Sequence, residues 1–275
     1  MIIAATATEE RKGTFLTYHG PFEESIPRMA ACGYEAAELH ILDSAEIDRK
    51  KLWEILRQNH IRLTSVGTGS VYGQRHYNLV DSRREVREAA IRHLGEHMIT
   101  AQPYGGLVIV GLIAGRLEDC SGREEYMENL DESLYRLDKL AREYGVWLGF
   151  ELTNRYEREF LLRIDEGVSY LRERDFKRIL LHIDTVHMNI EEGEIGAAIR
   201  RGRGFIGHVH VADNDRWYPG HGHYDFRETL KALRDIGYEG ALALETNCLP
   251  SEEVSARKSL EYMRKMLSDL ESGEN

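Results

Sequence analysis

The chain has 275 residues and a formal net charge of −11, from 36 Lys+Arg against 47 Asp+Glu, with no long basic run; this balance argues against a nucleic-acid partner. Its three scattered cysteines, Cys32, Cys120 and Cys248, fit reduced thiols better than a disulfide framework. No secretory leader is recognisable in "MIIAATATEERKG" and no segment reaches about 18 consecutive apolar residues, so a cytoplasmic protein with no membrane partner is expected. In chain order, short β-branched or apolar runs of strand length follow: "IIAATAT" at 2, "YEAAELH" at 34, "IRLTSVGTG" at 61, "GLVIVGL" at 106, "VWLGFEL" at 146, "ILLHIDT" at 179, "FIGHVHVAD" at 205 and "GALALET" at 240. Between them lie stretches with helical spacing, such as "EEYMENLDESLYRLDKLAREYG" at 124, where Leu130, Leu134, Leu137 and Ala141 recur every three or four residues. Gly33, Gly145 and Gly237 each stand shortly before the next strand, where a helix would end on a left-handed residue.

The strand-helix unit repeats eight times with no Pro/Ser-rich linker. That alternation closes most simply into a (β/α)8 TIM barrel, an α/β fold forming a single domain over residues 1–275. An open doubly wound sheet is the rival, weakened by the lack of a G-x-G-x-x-G turn after the first strand.

Strands of a parallel barrel are buried on both faces, so a carboxylate within one is costly unless it is paired or binds a cation. Four consecutive strands carry a polar group near their carboxyl ends: Glu151 in "GFELTNRYE", Asp184 in "HIDTVHMN", His210 in "HVHVAD" and Glu245 in "LALETN". The intervals of 33, 26 and 35 residues are each about one βα unit. Groups at one height on adjacent strands, roughly 4.8 Å apart on a curved wall, can converge at the rim. Taken singly, each acid has an ordinary alternative as a helix N-cap, a salt-bridge partner or a solvated loop residue. Taken together, three acids and one imidazole suit Mn²⁺ first, with Co²⁺ or Mg²⁺ as alternatives.

The segments "FELTNRYE", "HIDTVHMNIEE", "HVHVADNDRWYPGHGHYDF" and "ALET" resemble the metal-site motifs of ketose 3-epimerases of the D-tagatose/D-psicose 3-epimerase type, within the xylose-isomerase-like barrels. "SVGTGSVYG" and "GLVIVGLIAGR" also look like 5-keto-L-gluconate epimerases. The resemblance implies a divalent metal, a homodimer or homotetramer, and epimerisation beside a ketone. Ala212 and Asp213 replace the usual Gly-Glu, and Asp215 replaces Asn before Arg216; these departures bear on the substrate.

Epimerisation removes a proton from one face of a carbon and returns it on the other, so two proton-transfer groups must flank the substrate. Glu151 and Glu245 are assigned that role, each also a metal ligand, with the enediolate stabilised by Lewis-acid chemistry. By the resemblance, His187 contacts a substrate hydroxyl or the enediolate, and Glu157 the terminal oxygens. Arg216 can fork onto a hydroxyl pair or a carboxylate. Arg116 in "IAGR" is the feature that suggests a sugar acid, with a surface salt bridge as its ordinary alternative. His208, two positions before His210, reads as a hydrogen-bonded core histidine at least as well as a ligand. Trp217, Tyr72 and Trp53 are candidates for pocket walls. The segments after strands 7 and 8 lack the glycine-rich turns of a phosphate site, so an unphosphorylated sugar is expected. Other readings are an aldose-ketose isomerase of the hydroxypyruvate type, an apurinic-site endonuclease and a non-catalytic sugar-binding barrel.

Overall fold

The structure, a computed structural model, describes residues 1–10 and 15–272. Among the described residues, nine parallel strands form one sheet: β1 Ile2–Thr8, β2 Tyr18–His19, β3 Ala36–His40, β4 Arg62–Gly67, β5 Leu107–Val110, β6 Trp147–Glu151, β7 Ile179–Asp184, β8 Ile206–Val211 and β9 Ala241–Leu244. Each expected run carries one strand. The ninth, β2, is a two-residue addition that pairs Tyr18 with Ala7 and His19 with Thr8. Ile2 to Ala5 of β1 pair with Ala241 to Leu244 of β9, which closes the barrel. This excludes the open doubly wound sheet.

Apolar side chains fill the space between the strands and the outer helices. The helix Arg123–Tyr144 buries Leu130, Leu134, Leu137 and Ala141, the stripe its spacing predicts. Gly33, Gly145 and Gly237 all take positive φ, at 102°, 70° and 77°; each follows a helix and precedes a strand.

The barrel interior is less ordinary. Glu38 on β3 and His208 on β8 are not on neighbouring strands, yet Glu38 Oε2 lies 2.6 Å from His208 Nε2. That bond crosses the barrel. Alternation then turns Glu38, His40, His208 and His210 inward together. At the opposite end of the interior the packing is of small residues, Ala4, Ala36, Ala241 and Ala243.

Candidate active site

The four strand-end groups meet at the carboxyl end of the barrel. Glu151 and Asp184 are the last residues of β6 and β7, His210 is the residue before the end of β8, and Glu245 directly follows β9. One ligand atom from each of Glu151, Asp184 and His210 lies within 4.8 Å of the others. His210 Nδ1 is 3.4 Å from Glu245 Oε2 and 3.8 Å from Asp184 Oδ2.

Asp184 reconciles its ordinary and its functional reading by dividing its two oxygens. Oδ1 accepts from the backbone N–H of Val186 at 2.6 Å and His187 at 3.2 Å, capping the helix Thr185–Glu191. Oδ2 faces the site and accepts from Arg216 Nη1 at 2.8 Å. The cap fixes the carboxylate so that its second oxygen is presented at the barrel mouth.

His210 is oriented from beneath by Glu38, which is fully buried. Glu38 Oε1 accepts from His210 Nε2 and His40 Nε2, both at 2.7 Å. Its Oε2 accepts from His208 Nε2 and Ser65 Oγ, both at 2.6 Å. Four donors compensate a carboxylate that would otherwise be prohibitive to bury. Burial alone would raise the Glu38 pKa, but His210 and His208, whose Nε2 atoms face its two oxygens, hold it well below the carboxylate range. Burial likewise opposes charge on His210, and Glu38 and Glu245 together raise its pKa well above the usual imidazole value. For His208 burial prevails over Glu38, and its pKa is lowered. With Nε2–H donated to Glu38, Nδ1 is the ring nitrogen left to face Asp184 and Glu245. That atom is buried and makes no hydrogen bond among the described residues. A histidine held by a carboxylate behind it, with its free nitrogen aimed at three acids, is the arrangement expected of a metal ligand.

Arg216 takes φ 62°, a left-handed conformation unusual for a side-chain-bearing residue. The turn aims its guanidinium into the site. Nη1 donates to Asp184 and, at 2.6 Å, to Glu245 Oε2, and Nη2 lies 3.4 Å from His187 Nε2. Burial would raise the Glu245 pKa, but His210 and Arg216 pull it below the usual carboxylate range. Both carboxylate contacts of Arg216 are made by Nη1, to Asp184 and Glu245, rather than by a two-nitrogen fork.

His187 is buried in a helix, not solvated in a loop. Asn154 Nδ2 donates to its Nδ1 at 2.8 Å, which leaves Nε2 facing Glu151 Oε1 at 3.6 Å. Burial works against its charge, and Asp184 and Glu151 overcome this to raise its pKa. Glu151 owes its room to Gly111, since a Cβ there would stand 2.5 Å from Glu151 Oε2. Beneath it, Arg158 is buried and donates to the Glu151 carbonyl.

Arg116 and Glu157 form a partly exposed ion pair of 3.0 Å, with the Arg116 guanidinium 5.6 Å from the centre of the Tyr72 ring. The salt bridge given as the ordinary alternative for Arg116 is present. Its Nε is buried and has no hydrogen-bond partner among the described residues. Of the three candidate wall aromatics, Trp53 sits elsewhere. It lies on the helix Arg49–Gln58, donates to the Thr100 carbonyl, and lines a 790 Å³ hollow with Arg62, the first residue of β4, at the far end of the barrel. Asp213, at one of the departures from the family motif, accepts from the N–H groups of Asn214, Gly220 and Tyr224 at 2.8–3.1 Å and so shapes the loop after β8.

The residue that sequence reading missed is Glu38. The signal was present: "AAELH" places an acid and a histidine two apart on one face of an otherwise apolar strand. His182, fully buried with neither ring nitrogen hydrogen-bonded, packs its ring 4.0 Å from that of His210; it too was read only as part of a strand.

The family model described as "Xylose isomerase-like TIM barrel" matches residues 26–266. An L-ribulose 3-epimerase of Mesorhizobium japonicum is 27% identical over 230 residues, covering 82% of this chain and 75% of that protein. A D-psicose 3-epimerase of Ruminiclostridium cellulolyticum is 38% identical over 114 residues, 42% of this chain and 39% of that protein. Among solved structures, a D-allulose 3-epimerase from Methylomonas sp. in complex with D-allulose superposes with a TM-score of 0.82 at 23% identity, over 97% of this chain and 98% of that one; the likeness is one of fold.

Proposed function

Because the chain belongs to the xylose isomerase-like TIM barrel family, we propose that it is a metal-dependent carbohydrate epimerase, inverting the carbon beside the ketone of an unphosphorylated ketose or keto sugar acid. The observation that carries this reading is the buried His210 Nδ1, which faces Asp184 and Glu245 while Glu38 holds the ring from behind. Three carboxylates and one imidazole nitrogen suit a hard to borderline divalent cation, Mn²⁺, Co²⁺ or Mg²⁺. Glu151, Asp184, His210 and Glu245 would hold it, and it would supply Lewis-acid stabilisation of negative charge on the substrate oxygens.

The chain's own groups then move the protons. Glu151 and Glu245 lie on the first and last of the four strands, so a substrate between them presents opposite faces to the two carboxylates. One takes the proton from the carbon beside the ketone, and the other returns a proton on the far side of the planar enediolate. Either carboxylate begins as the base, according to the direction of the reaction. His187 Nε2, beside Glu151, and Arg216 orient the substrate hydroxyls. The 3-epimerases to which the chain is similar support the class of reaction. Its three unpaired cysteines support a cytoplasmic location.

The test is turnover of ketoses and keto sugar acids in D₂O with added Mn²⁺, followed by NMR. One carbon-bound proton should exchange with inversion at that carbon, and Glu151→Gln and Glu245→Gln should each abolish exchange in folded protein. Aldose formation without inversion would instead assign an aldose-ketose isomerase. Arg116→Met separates the two substrate classes: it should raise KM for a sugar acid and leave a neutral ketose unchanged.

A further inference from the structure

A second cluster of ligand-type side chains lies outside this site. His19 ends β2, Cys248 is in the loop after β9, and Glu252 begins the helix Glu252–Ser272. Since β1 pairs with both β2 and β9, the three sit over the seam where the barrel closes. Cys248 Sγ is 3.3 Å from His19 Nδ1, which is 3.4 Å from Glu252 Oε1. All three atoms lie within 4.8 Å of one another.

We propose that His19, Cys248 and Glu252 form a second metal site, selective for a borderline-soft divalent cation of the Zn²⁺ or Co²⁺ kind. Bond lengths of about 2.3 Å to sulfur and about 2.0–2.1 Å to nitrogen and oxygen put tetrahedral ligands roughly 3.6 Å apart for S and N and roughly 3.3 Å for N and O. The observed separations of 3.3 and 3.4 Å are close to those edges. Arg28 Nη2 holds the other oxygen, Glu252 Oε2, at 2.5 Å, which leaves Oε1 turned toward His19. The His19 and Glu252 side chains are 16% and 23% exposed, so an ion can enter from solvent and a water can complete the shell. The sulfur donor disfavours Mg²⁺ and Mn²⁺ here, whereas the strand-end acids offer no sulfur; Co²⁺ suits both sites, but only this one would bind it through a thiolate.

A nucleophilic role is the other chemistry a Cys-His-Glu group suggests, and the cluster argues against it. Both the sulfur and the carboxylate face the same nitrogen of His19, so the imidazole cannot relay a proton from one to the other. The thiol is also pushed up to about 12 by burial and by the Glu252 carboxylate, the reverse of an activated thiolate. Without an ion its proton goes to the Leu16 carbonyl, 2.7 Å away. Binding displaces that proton, one released to solvent per ion, and the sulfur becomes the ligand.

Co²⁺ titration of the reduced full-length protein tests this independently of catalysis. The expected result is a thiolate-to-Co²⁺ charge-transfer absorption, which the oxygen and nitrogen donors of the other site cannot produce. Cys248→Ser should abolish it, and Cys32→Ser and Cys120→Ser should retain it. Glu252→Gln and His19→Ala, which keep the thiol, should weaken the ion's binding about tenfold or more. Absence of the absorption in wild-type protein, its survival in Cys248→Ser, or unchanged affinity in both His19→Ala and Glu252→Gln would overturn the proposal.

Discussion

Replacing Glu38 by Gln keeps the shape of the barrel's central carboxylate and removes its charge. In the native protein each oxygen accepts two hydrogen bonds, Oε1 from His40 and His210, Oε2 from His208 and Ser65. In the variant an NH₂ group must take one of those places. If the facing pair remain donors, two buried donors lose their acceptor at about 1–3 kcal/mol each, roughly 2–6 kcal/mol together, against a total stability on the order of 5–15 kcal/mol. If instead the amide nitrogen takes the Oε1 place and His40 and His210 become acceptors, His210 must carry its proton on Nδ1. The lone pair aimed at Asp184 and Glu245 is then lost. With the amide in either orientation the buried carboxylate no longer fixes His210, and Mn²⁺ affinity should fall roughly 10- to 100-fold. Urea unfolding reports the stability and electron paramagnetic resonance of free Mn²⁺ reports the affinity. The sign with pH follows from the depressed Glu38 pKa. Its stabilisation is full above the unfolded carboxylate value of about 4.3 and is lost as pH falls through the folded value, so the gap between wild type and variant should narrow in acid. Stability within about 0.5 kcal/mol of wild type together with unchanged Mn²⁺ affinity would refute the reasoning.

Two further outcomes are expected. Gly111→Ala places a Cβ 2.5 Å from Glu151 Oε2 and must displace that carboxylate; a shift of about 1 Å can cost about 10²-fold in kcat, whereas a fall of less than threefold would mean that Glu151 does not act where the structure holds it. His97 is fully buried with Nε2 unpartnered, and burial, then the neighbouring His93, lowers its pKa well below the usual value. A lowered imidazole pKa gives stability that is full above the unfolded value near 6.5 and declines as pH falls toward the folded value, by at most about 1.4 kcal/mol per pH unit for one group. The urea midpoint of wild type should therefore drop between pH 7 and pH 5 more steeply than that of His97→Leu, and parallel curves would dismiss the histidine as the cause.

The periodicity of the chain carried the barrel well. All eight expected strands lie on the short apolar runs, because strands buried on both faces are mostly apolar and β-branched. The phase of Glu151, Asp184, His210 and Glu245 was legible for a related reason: a charged group ending such a run stands out against it. What could not be read was contact across the interior. Glu38 meets His208 and His210 only because β3 and β8 face one another in a closed cylinder, and no spacing along the chain encodes that distance. Asp184 presented a different difficulty, since an N-cap and a site ligand looked like alternatives and its two oxygens take one part each. Arg216 was legible as a charge near the mouth, but its direction depends on a left-handed backbone that a residue other than glycine or asparagine does not advertise.

Anomalous scattering from crystals soaked in Mn²⁺ locates the ion itself. One strong peak is expected at the carboxyl end of the barrel, within bonding distance of Glu151, Asp184, His210 Nδ1 and Glu245. A peak elsewhere, or none at saturating Mn²⁺, would contradict the assignment of these four ligands.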